Sequence, residues 1–249
     1  MSSRKMEAVT ICVNYSDFLD ITLHENSKYF DQIIVVTSEE DIDTQNICKK
    51  YNVTCLKTNA FYLNGAKFNK GMAIDAGFSY LKHKDWVINL DADIVLPDNF
   101  RDKFLEEATD IECSYASRRY DIQTYKEWEE VKIDANELKN KLLYRGIGYG
   151  NFFCFNYNSK IFQELIKLTS GFPYPNWFPH VAESDWIFRN CWSDWIYDPQ
   201  LNDDPNQHNI VNNDRAKNPD KLKELSFKVI HLGQTGRNES SRITPKFNE

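Results

Sequence analysis

Apolar residues along this chain gather into short unbroken runs separated by amphipathic stretches. Val9-Thr10-Ile11-Cys12-Val13, Gln32-Ile33-Ile34-Val35-Val36-Thr37 and Val53-Thr54-Cys55-Leu56-Lys57 each read as a strand, because continuous apolarity over so few residues leaves neither face for solvent. Between them, one helix opens at Ser16 or Asp17 and runs to about Tyr29 with Phe18, Ile21 and Leu23 as its apolar positions, and a second runs from Ser38-Glu39-Glu40-Asp41 to Lys50. This β-α-β-α-β order calls for parallel strands joined by right-handed crossovers. A third helix is expected over Phe68 to Leu81, with Asn69 near its cap and residues 72, 73, 76, 80 and 81 on the face toward the sheet. Small Ala73, Ala76 and Gly77 would let it approach closely.

That helix leads into Asp85-Trp86-Val87-Ile88-Asn89-Leu90-Asp91-Ala92-Asp93-Ile94-Val95-Leu96-Pro97, an apolar run that ends in two carboxylates one residue apart and resumes until Pro97 stops it. A doubly buried strand puts Asp91 and Asp93 at its carboxyl end, the edge of an open α/β sheet where ligands bind. Paired carboxylates there suit a hard divalent cation and, through it, a phosphate; equally, they could end the strand and cap its turn. Downstream, Asp98-Asn99 opens a helix to Glu107, Cys113 to Ser117 is a strand, and residues 119–147 read as a helical or irregular insertion. Asn151 to Asn156 is another buried strand, and Ser159 caps a helix to Leu168. Pro173, Pro175 and Pro179 exclude regular structure around them, residues 182–192 read as a short helix opened by acids, and residues 199–220 as a polar surface loop. Phe227 to Leu232 is a last strand, carrying His231 into a glycine-punctuated tail.

Composition narrows the function classes. A net charge of −7 opposes nucleic-acid binding by bulk electrostatics. The local run Arg118, Arg119, Lys126, Lys132, Lys139, Lys141 and Arg145 is interleaved with Glu127, Glu129, Glu130, Asp134 and Glu137, which reads as a solvated helix face. The 6 cysteines form no C-x-x-C pair, so buried free thiols in a reducing compartment are expected. With no apolar signal region and no run of the ~18 apolar residues a membrane span needs, the expectation is a cytoplasmic protein without a membrane segment.

Asp91-Ala92-Asp93, the later Glu183-Ser184-Asp185 and the near-terminal His231 together resemble the glycosyltransferases of the GT-A fold, which use nucleotide-sugar donors. Phe68-Asn69-Lys70, then Asp75-Ala76-Gly77-Phe78, then a strand ending in Asp-x-Asp is similar to the block before the metal site in β-1,4-galactosyltransferase-like enzymes, and the first strand and turn resemble family 2 glycosyltransferases. The resemblance spans most of the chain. It implies one α/β domain over residues 1–249, a Rossmann-like three-layer sandwich with a mostly parallel central sheet. Residues 1–98 would be the nucleotide-sugar-binding half and 99–249 the acceptor half, with the insertion at 119–147 and a C-terminal tail.

By that resemblance Asp93 would bind Mn²⁺ or Mg²⁺ directly, Asp91 would reach the metal through water or hold the donor ribose, and His231 would be a further ligand; imidazole with carboxylate favours Mn²⁺. UDP is the expected nucleotide. The acceptor hydroxyl must lose a proton, which calls for a carboxylate base: Asp185 first, Glu183 second, with Ser184 standing where the family has an acid. Asn14, Tyr15 and Glu39 would hold base and ribose, Asn69, Lys70 and Arg237 the diphosphate or donor sugar, and Trp177 and Trp186 would stack on the acceptor. Inversion in one displacement is the expected course. The acceptor stays open between a glycan, a small molecule and a hydroxymethylated base of viral DNA, the last kept by the basic run and by a composition suggestive of an AT-rich or viral genome. A sugar nucleotidyltransferase and a non-catalytic sugar- or nucleotide-binding module are the rival readings. Against the first, residues 13–19 contain no glycine for a phosphate loop.

Overall fold

The computed structural model describes residues 4–65, 68–143, 152–168, 195–197, 210–212, 221–233 and 247. The opening unit is as the pattern predicts: strands Met6–Ile11 (β1), Gln32–Thr37 (β2) and Thr54–Lys57 (β3), linked by helices Ser16–Asn26 (α1) and Ile42–Lys50 (α2). Every residue of β1 and β2 is buried, as unbroken apolarity requires of strands covered on both faces. Helix Lys70–Phe78 (α3) then leads to Trp86–Leu90 (β4), also buried throughout. β1 pairs in parallel with β2 on one side and β4 on the other, and β2 with β3. The chain thus steps outward from β1 to β3 and returns to the far side of β1. That reversal is a topological switch point, which opens a crevice at the carboxyl ends of β1 and β4.

The strands that follow are Ile94–Val95 (β5), Ser114–Ala116 (β6), Arg119–Ile122 (β7), Leu142–Leu143 (β8), Phe152–Asn156 (β9), Trp195–Tyr197 (β10), Ile210–Asn212 (β11), Leu222–Glu224 (β12) and Val229–Leu232 (β13). Helices Phe100–Glu107 (α4), Tyr125–Ile133 (α5) and Lys160–Leu168 (α6) lie between them. Among the described residues the central sheet has 7 strands in the order β12-β6-β9-β4-β1-β2-β3, and β9 runs antiparallel to both its neighbours. A second sheet, β5-β13-β7-β8, begins directly where β4 ends. Asp91-Ala92-Asp93 is therefore the corner between the two sheets. This α/β architecture with a mostly parallel sheet is the expected GT-A arrangement.

Several of the short strands depart from the pattern-based reading. β7 lies inside the stretch expected to be a helical or irregular insertion, β11 inside the expected surface loop, and β5 and β12 were not anticipated. Strands of two to four residues carry too little periodicity to stand out, and they are held by pairing with distant segments. The packing face of α3 is also corrected. Its buried residues include Lys70, Ala73, Ile74, Gly77 and Phe78, with Leu81 beyond its end, whereas Tyr80 is 50% exposed. The stripe keeps helical spacing but begins on a lysine, so apolarity alone places it one step around the helix. Gly77 is where close approach matters: a Cβ there would lie 2.5 Å from Val9 Cγ1 and 3.0 Å from Val36 Cγ2.

Two carboxylates secure the opposite, amino edge of the sheet. Glu7, fully buried on β1, accepts the backbone N–H groups of Lys82, His83 and Lys84 at 2.8, 3.0 and 2.8 Å, which pins the loop before β4. Asp31 accepts from Met6 N at 2.9 Å, Lys5 Nζ at 2.9 Å and Arg101 at 2.8 Å. Burial works to raise the Asp31 pKa, but these donors outweigh it and hold the carboxyl well below the usual range. The described cysteines Cys12, Cys48, Cys55, Cys113 and Cys154 are free thiols. No helix among the described residues is long and apolar enough to cross a membrane.

Gly77→Ala should cost about 1–3 kcal/mol through overpacking against Val9 and Val36, while Tyr80→Ser should stay within about 0.5 kcal/mol of wild type; thermal denaturation of the two variants checks the corrected face. Asp31 has a depressed folded pKa, so its contribution is present above the unfolded value of about 3.9 and is lost as pH falls through the folded one. Asp31→Asn should accordingly flatten the acid limb of the stability curve below about pH 4, measured by denaturant titration across pH.

Candidate functional site

The corner after β4 is held from behind by α1. Thr22 Oγ1 donates to the Ala92 carbonyl at 2.8 Å, and Asn26 bridges Ile94 O at 2.7 Å and Leu96 N at 2.9 Å. Ile94 N donates to Asp91 O at 3.2 Å, which closes the turn. Ala92 is buried while Asp91 and Asp93 are partly exposed, so the alternation that ends the strand turns both carboxylates toward the crevice.

β5 and β13 bring His231 to this corner. His231 pairs in register with Ile94, and Leu232 N donates to Asp93 O at 2.9 Å. The imidazole Nε2 lies 3.4 Å from Asp93 Oδ2, and Nδ1 lies 3.1 Å from Asp121 Oδ1. Asp121 stands opposite His231 in the parallel β7–β13 register, with Arg119 Nε 2.9 Å from the same Oδ1. Burial alone would lower the His231 pKa; the charge of Asp93 and the contact with Asp121 overcome it and raise the value to about 9. Burial likewise works to raise the Asp121 pKa, and His231 and Arg119 bring it below the ordinary value.

Asp91 faces the other way. Its Oδ1 accepts from Lys70 Nζ at 2.8 Å, and the Lys70 side chain is only 7% exposed. Burial raises the Asp91 pKa, Lys70 opposes it and the nearby Asp93 charge adds to it. Asn69 caps α3, its side chain accepting from Met72 N at 3.0 Å. The helix that carries Lys70 is thus fixed at the end nearest the crevice.

On the β1 side, Asn14 adopts a left-handed conformation, φ 62°, tolerated by asparagine better than by most residues. Asp41 holds it there: its carboxylate accepts from Asn14 N at 2.7 Å, Thr37 Oγ1 at 3.2 Å and Thr44 N at 3.1 Å, so it also caps α2. Tyr15 is partly buried against Phe18, and Glu39 is exposed just beyond β2. Asn14 and Tyr15 follow the carboxyl end of β1, and Glu39 that of β2. Arg237, Trp177, Glu183, Asp185 and Trp186 lie outside the described residues.

Sequence reasoning missed Asp121, Arg119 and Asp41. The first two sat within the run read as a solvated helix face, although the alternation Arg119-Tyr120-Asp121-Ile122 is a strand signal. Three members of the basic run pair with acids: Arg118 with Glu224 at 2.9 Å, Arg119 with Asp121, and Lys141 with Glu127 at 3.5 Å.

Of the three residues expected at a metal, Asp93 and His231 converge and Asp91 is engaged by Lys70; among the described residues no three His, Cys, Asp or Glu side chains form a ready-made cage. The donor set nonetheless fits a divalent ion. Asp93 Oδ1 is buried without a hydrogen-bond partner among the described residues, and a carboxylate oxygen beside an imidazole nitrogen is a chemistry that Mn²⁺ accepts.

A mostly parallel sheet joined to a smaller one through an Asp-x-Asp corner at the switch point is the architecture of GT-A glycosyltransferases. The model of glycosyl transferase family 2 matches residues 8–167, well over half of the chain, and the protein belongs to that family of enzymes. No curated protein matches the sequence. Solved structures similar to it include glucosyl-3-phosphoglycerate synthase from Mycobacterium tuberculosis in complex with Mn²⁺, UDP and glucosyl-3-phosphoglycerate, at 14% identity and TM-score 0.43. The match covers 63% of this chain and 58% of that one. Another is 4-diphosphocytidyl-2C-methyl-D-erythritol synthase from Anaerococcus prevotii, at 15% identity and TM-score 0.40, covering 67% of this chain and 76% of that one.

The Lys70–Asp91 pair should show energetic coupling. In a cycle of Lys70→Met, Asp91→Asn and the double variant, urea denaturation should give a coupling of about 1–2 kcal/mol, since a lone buried charge is costlier than none. A coupling of zero would mark the pair as incidental.

Proposed function

We propose that this family 2 glycosyltransferase moves a hexose from a UDP-sugar to an acceptor hydroxyl, with inversion, using Mn²⁺ or Mg²⁺ held by Asp93 and His231. The observation that carries this reading is the convergence of those two side chains, Asp93 from the turn between the sheets and His231 from β13, at the switch-point crevice. When bound, the cation acts as a Lewis acid on the diphosphate, whose negative charge grows as the sugar leaves.

The chain's own residues supply the rest. Asn14, Tyr15 and Glu39 hold the base and ribose, and Asp41 keeps the Asn14 backbone in the conformation that opens this end of β1. Lys70, paired with Asp91 at 2.8 Å, offers positive charge beside the diphosphate, and Asp91 serves the ribose or a metal-bound water. Asn69 serves through its cap of α3. Arg237 closes on phosphate from the tail, Trp177 and Trp186 stack on the acceptor, and Asp185 takes the hydroxyl proton with Glu183 orienting the acceptor. Residues 1–98 form the donor half and 99–249 the acceptor half of one domain. A glycan or small molecule is the favoured acceptor. The pairing of Arg118, Arg119 and Lys141 with acids leaves the DNA reading without a free basic surface among those residues.

Incubation of the purified protein with a panel of nucleotide sugars should release UDP from at least one UDP-hexose in Mn²⁺ and not in EDTA. Asp93→Asn and His231→Ala should each lower kcat/KM by about 10²-fold or more. Asp185→Asn should cut turnover by about 10²–10⁴-fold and leave UDP binding intact, which also separates an enzyme from a binding module. Failure to bind or hydrolyse any nucleotide sugar would sink the proposal.

A further inference from the structure

We infer that Asp121, anchored by Arg119, is the positioning residue that aims His231 at the metal site. The inference rests on the reading of His231 as a metal ligand given above.

A neutral imidazole has one donor and one acceptor nitrogen, and only the nitrogen without a proton can meet a cation. His231 has its Nδ1 3.1 Å from Asp121 Oδ1 and its Nε2 on the side of Asp93. His231 Nδ1 and Asp121 Oδ1 stand at ion-pair distance rather than in hydrogen-bond geometry; with a cation at Nε2 this carboxylate would accept the Nδ1 N–H, fix the tautomer and hold the ring plane, so that Nε2 presents its lone pair to the crevice. The β7–β13 register brings the two side chains together. Asp121 and His231 are direct neighbours across the ladder, and Arg119, two residues earlier on β7, projects from the same face.

Burial decides the role further. The Asp121 side chain is 2% exposed, so it reaches no donor or acceptor and acts through the imidazole it touches. A carboxylate so enclosed is tolerated only when paired, and Arg119 Nε at 2.9 Å supplies the opposite charge. Arg119 thereby keeps Asp121 ionised and turned toward β13. The arrangement spans three elements of the second sheet, in the order Arg119–Asp121 on β7, His231 on β13, and Asp93 at the entrance to β5.

The test measures Mn²⁺ binding in the presence of UDP by electron paramagnetic resonance of the free ion, with pulsed detection of ¹⁴N coupling from the imidazole. Asp121→Asn is expected to weaken Mn²⁺ by about 10–100-fold and to diminish the ¹⁴N coupling, with Asp121→Glu recovering part of both. Arg119→Gln should weaken binding in the same direction and carries the test if Asp121→Asn does not fold, as judged by thermal melting. His231→Ala separates the two levels of inference. If His231→Ala loses affinity and coupling while Asp121→Asn and Arg119→Gln keep wild-type values, the positioning role is overturned and the metal site stands. If His231→Ala also keeps them, the metal reading fails and takes the positioning role with it.

Discussion

The complete burial of β4 is the constraint on which the rest of the site depends. Five successive residues, Trp86–Leu90, are enclosed by sheet and helix on both faces, so a charge anywhere along them would meet no water. Carboxylates can appear only where the strand leaves the sheet. Because β4 returns to the far side of β1, that exit lies at the switch-point crevice. The position of Asp91 and Asp93 thus follows from the packing of Trp86, Val87, Ile88 and Leu90, and the amino edge is held in step by Glu7 gripping the loop before β4.

The same corner divides labour between its two acids. Asp91 looks back to the first half of the chain and pairs with Lys70 on α3, a helix whose approach to the sheet requires Gly77. Asp93 looks forward to the second sheet, where the register of β5, β13 and β7 sets Asp93, His231, Asp121 and Arg119 in one line of contacts. Neither arrangement is a surface salt bridge of the weak kind, since Lys70, Asp121 and His231 are all buried. Removing one member leaves its partner's charge in a poorly solvated place.

Much of this was legible from residues alone. The β-α-β-α-β opening, β4, the carboxylate pair and the caps at Asn69 and Ser159 all announce themselves locally, by unbroken apolar runs or by a polar side chain placed before a helix. Of the second sheet, only β13 was legible. The sheet's other strands are two to four residues long, and β7 carries Arg119 and Asp121 among other charges, so a buried strand looked like a solvated helix. The face of α3 was misjudged for a related reason: Lys70 heads the buried stripe because Asp91, 21 residues away, neutralises it.

By itself, then, the sequence determined the α/β class, the doubly buried strands, the corner carboxylates and the resemblance that the family match bears out. These depend on hydrophobic periodicity and local hydrogen bonding, which act between residues close in the chain. Only the tertiary structure decided that Lys70 belongs to Asp91, that Asp41 fixes Asn14 and that Asp121 stands behind His231. Those pairings join residues from 21 to 110 positions apart, for example Asp121 with His231, and they are selected by strand register and by the cost of burying a charge alone.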